Sequence, residues 1–483
     1  SSRLVDPAEG SGWWAYATPA GWVVRGAWAA ADGTVYIADN DGALAGGDAG
    51  GWVVSSAYGQ GLQRYWVDAT SRGCVPGRSA AGWDHYTTAD GYVLRGGATT
   101  PAGMVYADND GRLAGDGWLV TDGFGQGLQR YWVSGGAVST GRLVDPAAEG
   151  SGWWAYATPA GWVVRGAWDS GAGHVYLADN DGALLLGGSV GWVVGDLGWG
   201  MQRYWSDGTR SALTSFFDVA DGAVTDRYYG RGGVGYVLRG KMGWDDDGML
   251  VADNDGRLMG SGRWARPSSG DWVVTDAFDG GMQRYWASRC CGDEMGALLG
   301  TFGVGGATYY GTPDQGYVLR NASRLVGSSY YDADNDGVLS YNAVVSRMIS
   351  SAQQYGSSSQ YLLMVDTDDT KFVVFEGSYG NWTPIFVWDC GSGAPETPTV
   401  LGVFHVGIKG YSFGEQWGYS CYYYTQFYGN YLIHTGLYYA NTWIPMDTSM
   451  NIRNSHGCVR LDPPNAKWIW DNVSAGTTVV TME

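Results

Sequence analysis

Apolar residues along the first two thirds of the chain come in short bursts separated by glycine-bearing turns. In VYIADNDGAL, from Val35, two brief apolar arms flank an Asn-Asp-Gly turn, where glycine takes a positive φ at little cost. This pattern predicts β-hairpins, and it recurs. ADNDG begins at Ala38, Ala107, Ala178, Ala252 and Ala333, at intervals of 69, 71, 74 and 81 residues. Upstream stand WVVRG from Trp22, YVLRG from Tyr92, WVVRG from Trp162, YVLRG from Tyr236 and YVLRN from Tyr317. Downstream of the first four copies come GWVV, GWLV, GWVV and DWVV, then QRYW from Gln63, Gln129, Gln202 and Gln283. Five units of about 70 residues, the last truncated, therefore fill residues 1–340.

A single hairpin is marginal in water, so each must bury its aromatic face on its neighbours. The expected fold is mainly β: a β-hairpin repeat array, with a solenoid as the first architecture and a propeller as the alternative, followed by a second mainly β domain. The repeat pattern stops after residue 340. Asn342 is placed to cap a short helix in which Val344, Val345, Met348, Ile349 and Ala352 recur at helical spacing. Residues 341–358 read as a helical linker and 359–483 as the second domain. There YLLMVDTDDTKFVVFEG, from Tyr361, gives two β-rich arms around a polar turn, and WTPIFVWDC, TVLGVFHV and YLIHTG supply further strands. PPNAKWIWDNV, from Pro463, reads as a closing helix, since proline suits a helix first turn.

Composition narrows the partners. Gly 80, Tyr 33 and Trp 26 accompany only 16% charged residues, which fits many short strands and tight turns. The formal net charge of −19 argues against nucleic acid, whose binding rests on basic side chains meeting phosphate, and against simple electrostatic docking on an anionic membrane or polyanion. A neutral or zwitterionic glycan or polymer is the easier partner. No apolar run is long enough to cross a bilayer. No secretion signal is present, so the chain reads as a mature or trimmed fragment. Among the six cysteines no CxxC pair has metal-ligand spacing, and structural zinc is not expected.

Two motifs carry possible chemistry. DADNDGVLS, from Asp332, starts like a calcium loop, but Ala343 stands where the bidentate acid belongs and the other copies lack the first aspartate; turn chemistry is the better reading. The decisive string is NSHGCVRLD, from Asn454. A cysteine beside glycine and histidine, with another histidine upstream on a strand, is an elementary kit for thiolate acyl transfer. Gly457 admits close backbone approach, and amides around Cys458 are placed to stabilise an oxyanion.

SHGCVR, at Ser455–Arg460, resembles the S/T-H-G-C-x-R/N motif of the L,D-transpeptidase (YkuD-type) catalytic domain, and YLLMVDTDDTKFVVFEG, ETPTVLGVFHV and YLIHTG follow that family's order. The resemblance implies an extracellular enzyme acting on peptidoglycan stem peptides without metal or organic cofactor. It makes Cys458 the nucleophile and His434 the base, with the Thr435 carbonyl orienting the imidazole. His456 and Gly457 would shape the oxyanion pocket, Ser455 belongs to the substrate-binding loop, and Arg460 would hold that loop or a substrate carboxylate. Two departures stand out: TPTV at Thr397–Val400 where the family has TPTG, and a 24-residue interval from His434 to Cys458 whose NTWIPMD segment reads as an insertion over the pocket. A Cys390–Cys421 disulfide fits an exported protein. The aromatic hairpins resemble choline-binding and related cell-wall-binding repeats, which implies aromatic cages or stacking platforms for wall ligands. Against this, Trp22, Trp52, Trp118 and their equivalents could simply fill a core.

Overall fold

Glycine-permitted turns and cross-strand tryptophan pairs generate the repeats. The computed structural model describes residues 2–260, 262, 270–278 and 280–483. It is mainly β and falls into two compact units, Ser1–Gly240 with Asn254–Arg263, and Lys241–Asp253 with Trp264–Glu483.

In the first unit Gly51–Ser55 pairs with Gln63–Val67, Gly117–Thr121 with Gln129–Ser134, and Val190–Asp196 with Met201–Asp207. Each pairing sets a GWVV-type tryptophan opposite the QRYW tryptophan: Trp52 and Trp66, Trp118 and Trp132, Trp192 and Trp205, with ring centroids 5.1, 4.9 and 4.9 Å apart. Side chains alternate along a strand, so the neighbouring Tyr65, Tyr131 and Tyr204 point to the other face, where all three are fully buried.

The ADNDG turn explains itself locally. Oδ1 of Asp39 accepts from the amides of Asp41 and Ala43 at 3.0 and 2.9 Å, and Asp108 and Asp179 repeat the arrangement. Gly42 has φ +87°, and a Cβ there would meet Val23 Cγ1 at 2.7 Å, so glycine is required by conformation and by space. These aspartates thus satisfy backbone N–H groups, which is the turn chemistry the sequence favours.

Consecutive repeats are joined through the QRYW arginine. The Arg64 carbonyl accepts from Val93 N at 2.7 Å, while its guanidinium donates to Asp110 O in the next ADNDG turn, also at 2.7 Å. Arg130 does the same with Val163 and Asp181, and Arg203 with Val237 and Asp255.

The second unit repeats this scheme with Trp272 opposite Trp286, a buried Tyr285, and Arg284 holding Val318 and Asp336. It then changes character. Asn342 Oδ1 accepts from Val345 N at 2.9 Å and starts the helix Ala343–Ala352, as its sequence anticipates. Val345, Met348, Ile349 and Ala352 pack against Leu362, Met364, Phe375, Trp382 and Val480. The helix therefore covers one face of a five-stranded sheet ordered Asn381–Asp389, Lys371–Ser378, Tyr361–Asp366, Thr478–Met482 and Gly402–His405. The other face builds the main core, with Leu363, Val365, Phe372, Val374, Ile433, Val459, Leu461 and Ile469. That core joins the sheet to an eight-stranded one and to the helix Pro463–Asn472, which carries proline in its first turn.

Candidate active site

In the eight-stranded sheet Tyr431–Thr435 runs parallel to Val459–Leu461, with His434 opposite Arg460. Cys458 lies two residues before Arg460, so strand alternation directs His434, Cys458 and Arg460 to one side. The turn before Cys458 is held by Ser455, whose hydroxyl donates to the Cys458 carbonyl at 2.6 Å and accepts from Gly457 N at 3.1 Å. Gly457 has φ +105°, and a Cβ on it would meet Tyr431 Cε1 at 2.6 Å. The altered TPTV segment also braces this turn, because Thr397 Oγ1 donates to Ser455 O at 2.9 Å.

The site residues expected from the sequence converge. Ser455, His456, Cys458, Arg460 and His434 line one cavity of about 220 Å³, together with Phe413, Tyr419, Cys421 and Leu437. Thr435 and Gly457 act through their backbone. His434 is almost fully buried, its ring lies edge-on to Phe413 at 5.0 Å, and its Nδ1 is 2.5 Å from the Thr435 carbonyl. A carbonyl can only accept, so Nδ1 carries the proton and Nε2 keeps its lone pair. Burial pushes the imidazole down to about 4; the Thr435 carbonyl opposes that shift, and the Arg460 charge adds to it. Burial raises the Cys458 thiol, partly offset by a backbone hydrogen bond from Leu432 and by Arg460. The thiol donates to the Asn430 carbonyl at 3.7 Å, and at neutral pH the cavity therefore holds a thiol and a neutral imidazole.

The backbone amides expected to act as oxyanion donors are not equally free. Gly457 N–H is already engaged by Ser455, whereas the amides of His456 and Cys458 make no hydrogen bond within the protein among the described residues. Ser455 likewise spends its hydroxyl on the turn.

Arg460 is buried and donates to Asp447 Oδ2 at 2.7 Å and Asn454 Oδ1 at 3.1 Å. Hydrogen bonds, first from Ser449 and then from Arg460, hold the Asp447 carboxyl below its usual range. This corrects the reading of the NTWIPMD segment as a cover. Pro445–Asp447 is an edge strand beside Leu437–Tyr439, Trp443 stacks on Tyr422 at 4.0 Å, and none of Asn441–Asp447 lines the cavity. Its acid instead anchors Arg460. Phe413 and Tyr419 were missed from the sequence because nothing near them in the chain marks chemistry; Leu437, just after YLIHTG, and Asp447, in NTWIPMD, lie beside strings already singled out, but only strand pairing shows that they reach the site.

The expected Cys390–Cys421 disulfide is absent. Both thiols are free: Cys390 is buried in the main core, and Cys421 is buried against the cavity that Cys458 lines. Desolvation pushes the Cys421 thiol up to about 12.

In the repeats the tryptophans expected as ligand platforms carry the protein's own cations. The guanidinium of Arg64 lies over Trp52, Arg130 over Trp118, Arg203 over Trp192 and Arg284 over Trp272, at 5.8, 5.6, 3.7 and 3.6 Å from the ring centroids. Trp22 is different, being 55% exposed and no core residue.

A mainly β domain with cysteine, neutral histidine and unengaged amides around one cavity has the parts of a cysteine acyltransferase site. Residues 360–481 match the YkuD family, the L,D-transpeptidase catalytic domain. Among solved structures, the chain is similar to a fused Zn-dependent amidase/peptidase/peptidoglycan-binding protein from Clostridium acetobutylicum, at 34% identity over 27% of this chain and 57% of that one, with TM-score 0.24. It is similar to an L,D-transpeptidase from Stackebrandtia nassauensis at 21% identity, over 29% of this chain and 64% of that one, with TM-score 0.23. Choline binding protein F from Streptococcus pneumoniae matches at 16% identity, over 70% of this chain and 98% of that one, with TM-score 0.25. The chain thus spans under two thirds of the first two of these proteins. No curated protein matches it. Among the described residues no helix is long and apolar enough to cross a membrane.

Proposed function

We propose that the chain is a peptidoglycan L,D-transpeptidase working outside the cell through a Cys458 acyl-enzyme, held on the wall by its repeats. The observation that supports this most directly is the tautomer of His434: with Nδ1–H given to Thr435, Nε2 is the free base in the cavity that Cys458 lines. The thiol proton passes to Nε2 as sulfur attacks the carbonyl of the third stem-peptide residue. The amides of His456 and Cys458 receive the oxyanion. Collapse expels D-alanine, which takes the proton from the imidazolium. An amine of a neighbouring stem then attacks the thioester, regenerates the thiol and leaves a 3→3 cross-link; water in its place gives an L,D-carboxypeptidase. No metal or organic cofactor is required by these steps. The repeats would raise the local concentration of stems.

Mass spectrometry of muropeptides incubated with the chain and with Cys458→Ala tests the reaction. D-Alanine release with 3→3 dimers, lost in the variant, is expected. Shortened stems alone would assign hydrolysis. No change with reduced enzyme and tetrapeptide donors would leave a non-catalytic wall-binding protein.

A further inference from the structure

Each repeat carries a second arginine, in the WVVRG-type string, and its circumstances differ from those of the clamp arginine. Arg165 Nη2 donates to Gln129 Oε1 at 2.8 Å, and Arg95 Nη2 donates to Gln63 Oε1 at 2.7 Å. The glutamines are themselves oriented, donating to Gln126 O and Gln60 O at 3.2 Å each. Arg95 and Arg165 are exposed and make no ion pair among the described residues, although acids outnumber bases 48 to 29 in the chain. A guanidinium has five N–H donors, so most of each remains for a ligand. Only neutral acceptors set its position, the glutamine amide and for Arg95 also the Leu62 carbonyl at 3.0 Å, which leaves the charge uncompensated.

Beside Arg165 the half-buried Trp162 packs on the cluster of Tyr131, Val133 and Val138, and Gln129, Trp162, Arg165, Gly166 and Asn180 line a pocket of about 420 Å³ at the junction of the second and third repeats. Tyr92 is held similarly by the cluster around Tyr65. The corresponding aromatic faces further on are taken: Arg231 lies 5.3 Å from the Tyr236 ring and Lys241 lies 5.5 Å from Tyr317.

We propose that the Gln129–Trp162–Arg165–Asn180 pocket, and its counterpart at Gln63, Tyr92 and Arg95, bind an anionic sugar: the ring stacks on the aromatic face and its carboxylate or phosphate meets the guanidinium. The inference rests on the wall-adhesion reading and gives it a different chemistry from a quaternary-amine cage. A cation is excluded where an unpaired arginine already stands, whereas a planar guanidinium takes an oxyanion through two parallel hydrogen bonds. The polar partners also suit sugar hydroxyls, and the volume is that of a small-molecule pocket.

The test is co-sedimentation of the full chain, carrying Cys458→Ala, with purified wall sacculi before and after hydrofluoric acid removes phosphate-linked polymers. Arg95→Gln with Arg165→Gln is expected to weaken binding roughly tenfold at unchanged melting temperature, since two charge-assisted contacts are lost. Arg239→Gln is the control: it removes the same charge and the same glutamine contact, to Gln202 at 2.8 Å, beside an occupied ring, and should bind as the parent does. Binding that survives acid treatment assigns the carboxylate; binding lost with the polymers assigns phosphate. A parent that does not sediment with either preparation overturns wall adhesion and the site with it. A parent that sediments, with a double variant equal to it or a control equally weakened, overturns the site alone.

Discussion

The repeats and the C-terminal domain are both built from short strands, yet they solve burial differently. In the repeats the partners of each strand are close in sequence, and cores are small: Tyr65 with Val35, Ile37 and Val67, or Tyr204 with Val175, Leu177 and Leu186. Repeats are then joined by an arginine that holds its neighbour's backbone. In the C-terminal domain Leu362 pairs with Thr478, and one core gathers residues from Leu363 to Val479. Local closure tolerates damage in one unit, whereas a non-local core transmits it. This places the proposed catalytic pair in the domain able to fix atoms precisely enough for chemistry, and the proposed adhesive surface in the part that can be multiplied.

The sharpest way to test that division is at the base. His434→Gln should lower transpeptidase turnover about 10²–10⁴-fold, the usual share of a general base, while sacculus binding stays at the parent's level. Equal loss of both would show that the two parts are not separable.

Next come matched core truncations. Phe372→Ala and Tyr131→Ala each remove a fully buried ring and should each cost about 3–5 kcal/mol where they act. Hydrogen exchange should rise across the whole C-terminal domain for Phe372→Ala. For Tyr131→Ala it should rise only in the second repeat and its neighbours. Global exchange in both variants would break the comparison.

Smaller still is the clamp. Arg130→Met removes the bond to Asp181 O and the cation over Trp118, and should cost about 1–2 kcal/mol, seen as a lowered first transition in denaturant unfolding.

The smallest effect is on pH. Because burial pushes the His434 imidazole down to about 4, it should stay an acceptor through mildly acidic conditions. kcat/KM should therefore be level from pH 7 to about pH 5 and fall only below that, as the imidazole takes the proton the reaction needs to place there. A fall centred near 6.5 would mean that the ring is not buried as described. The same depressed pKa favours the folded state above about pH 6.5, and that contribution is lost as pH falls toward 4.

Much of this was legible in the chain because its causes are local. An aspartate two residues before an Asp-Gly step caps its own turn, and Asn342 caps its own helix; neither needs a distant partner. SHGCVR similarly carries its turn hydroxyl, its glycine and its cysteine within six positions. The errors fell where a partner lies far away. NTWIPMD reads as a loose insertion until Asp447 is seen holding Arg460. Cys390 and Cys421 look like a pair until pairing of the strands places one in the core and the other at the cavity. The GWVV tryptophans look like open platforms because sequence spacing does not show which way an arginine 12 residues later, Arg64 after Trp52, will fold back.

What the sequence by itself determined is therefore the inventory: the repeat unit, its turns, the capped helix, the mainly β class and the cysteine and histidines of the candidate site. These follow from backbone conformations and side-chain functions that neighbours in the chain can specify. Only the tertiary structure decided which histidine nitrogen is free, which amides at the candidate site lack a partner, and which arginines are spent on the protein and which face outward. Those properties depend on desolvation and on hydrogen-bond partners supplied by other strands, and both exist only once the sheets have closed.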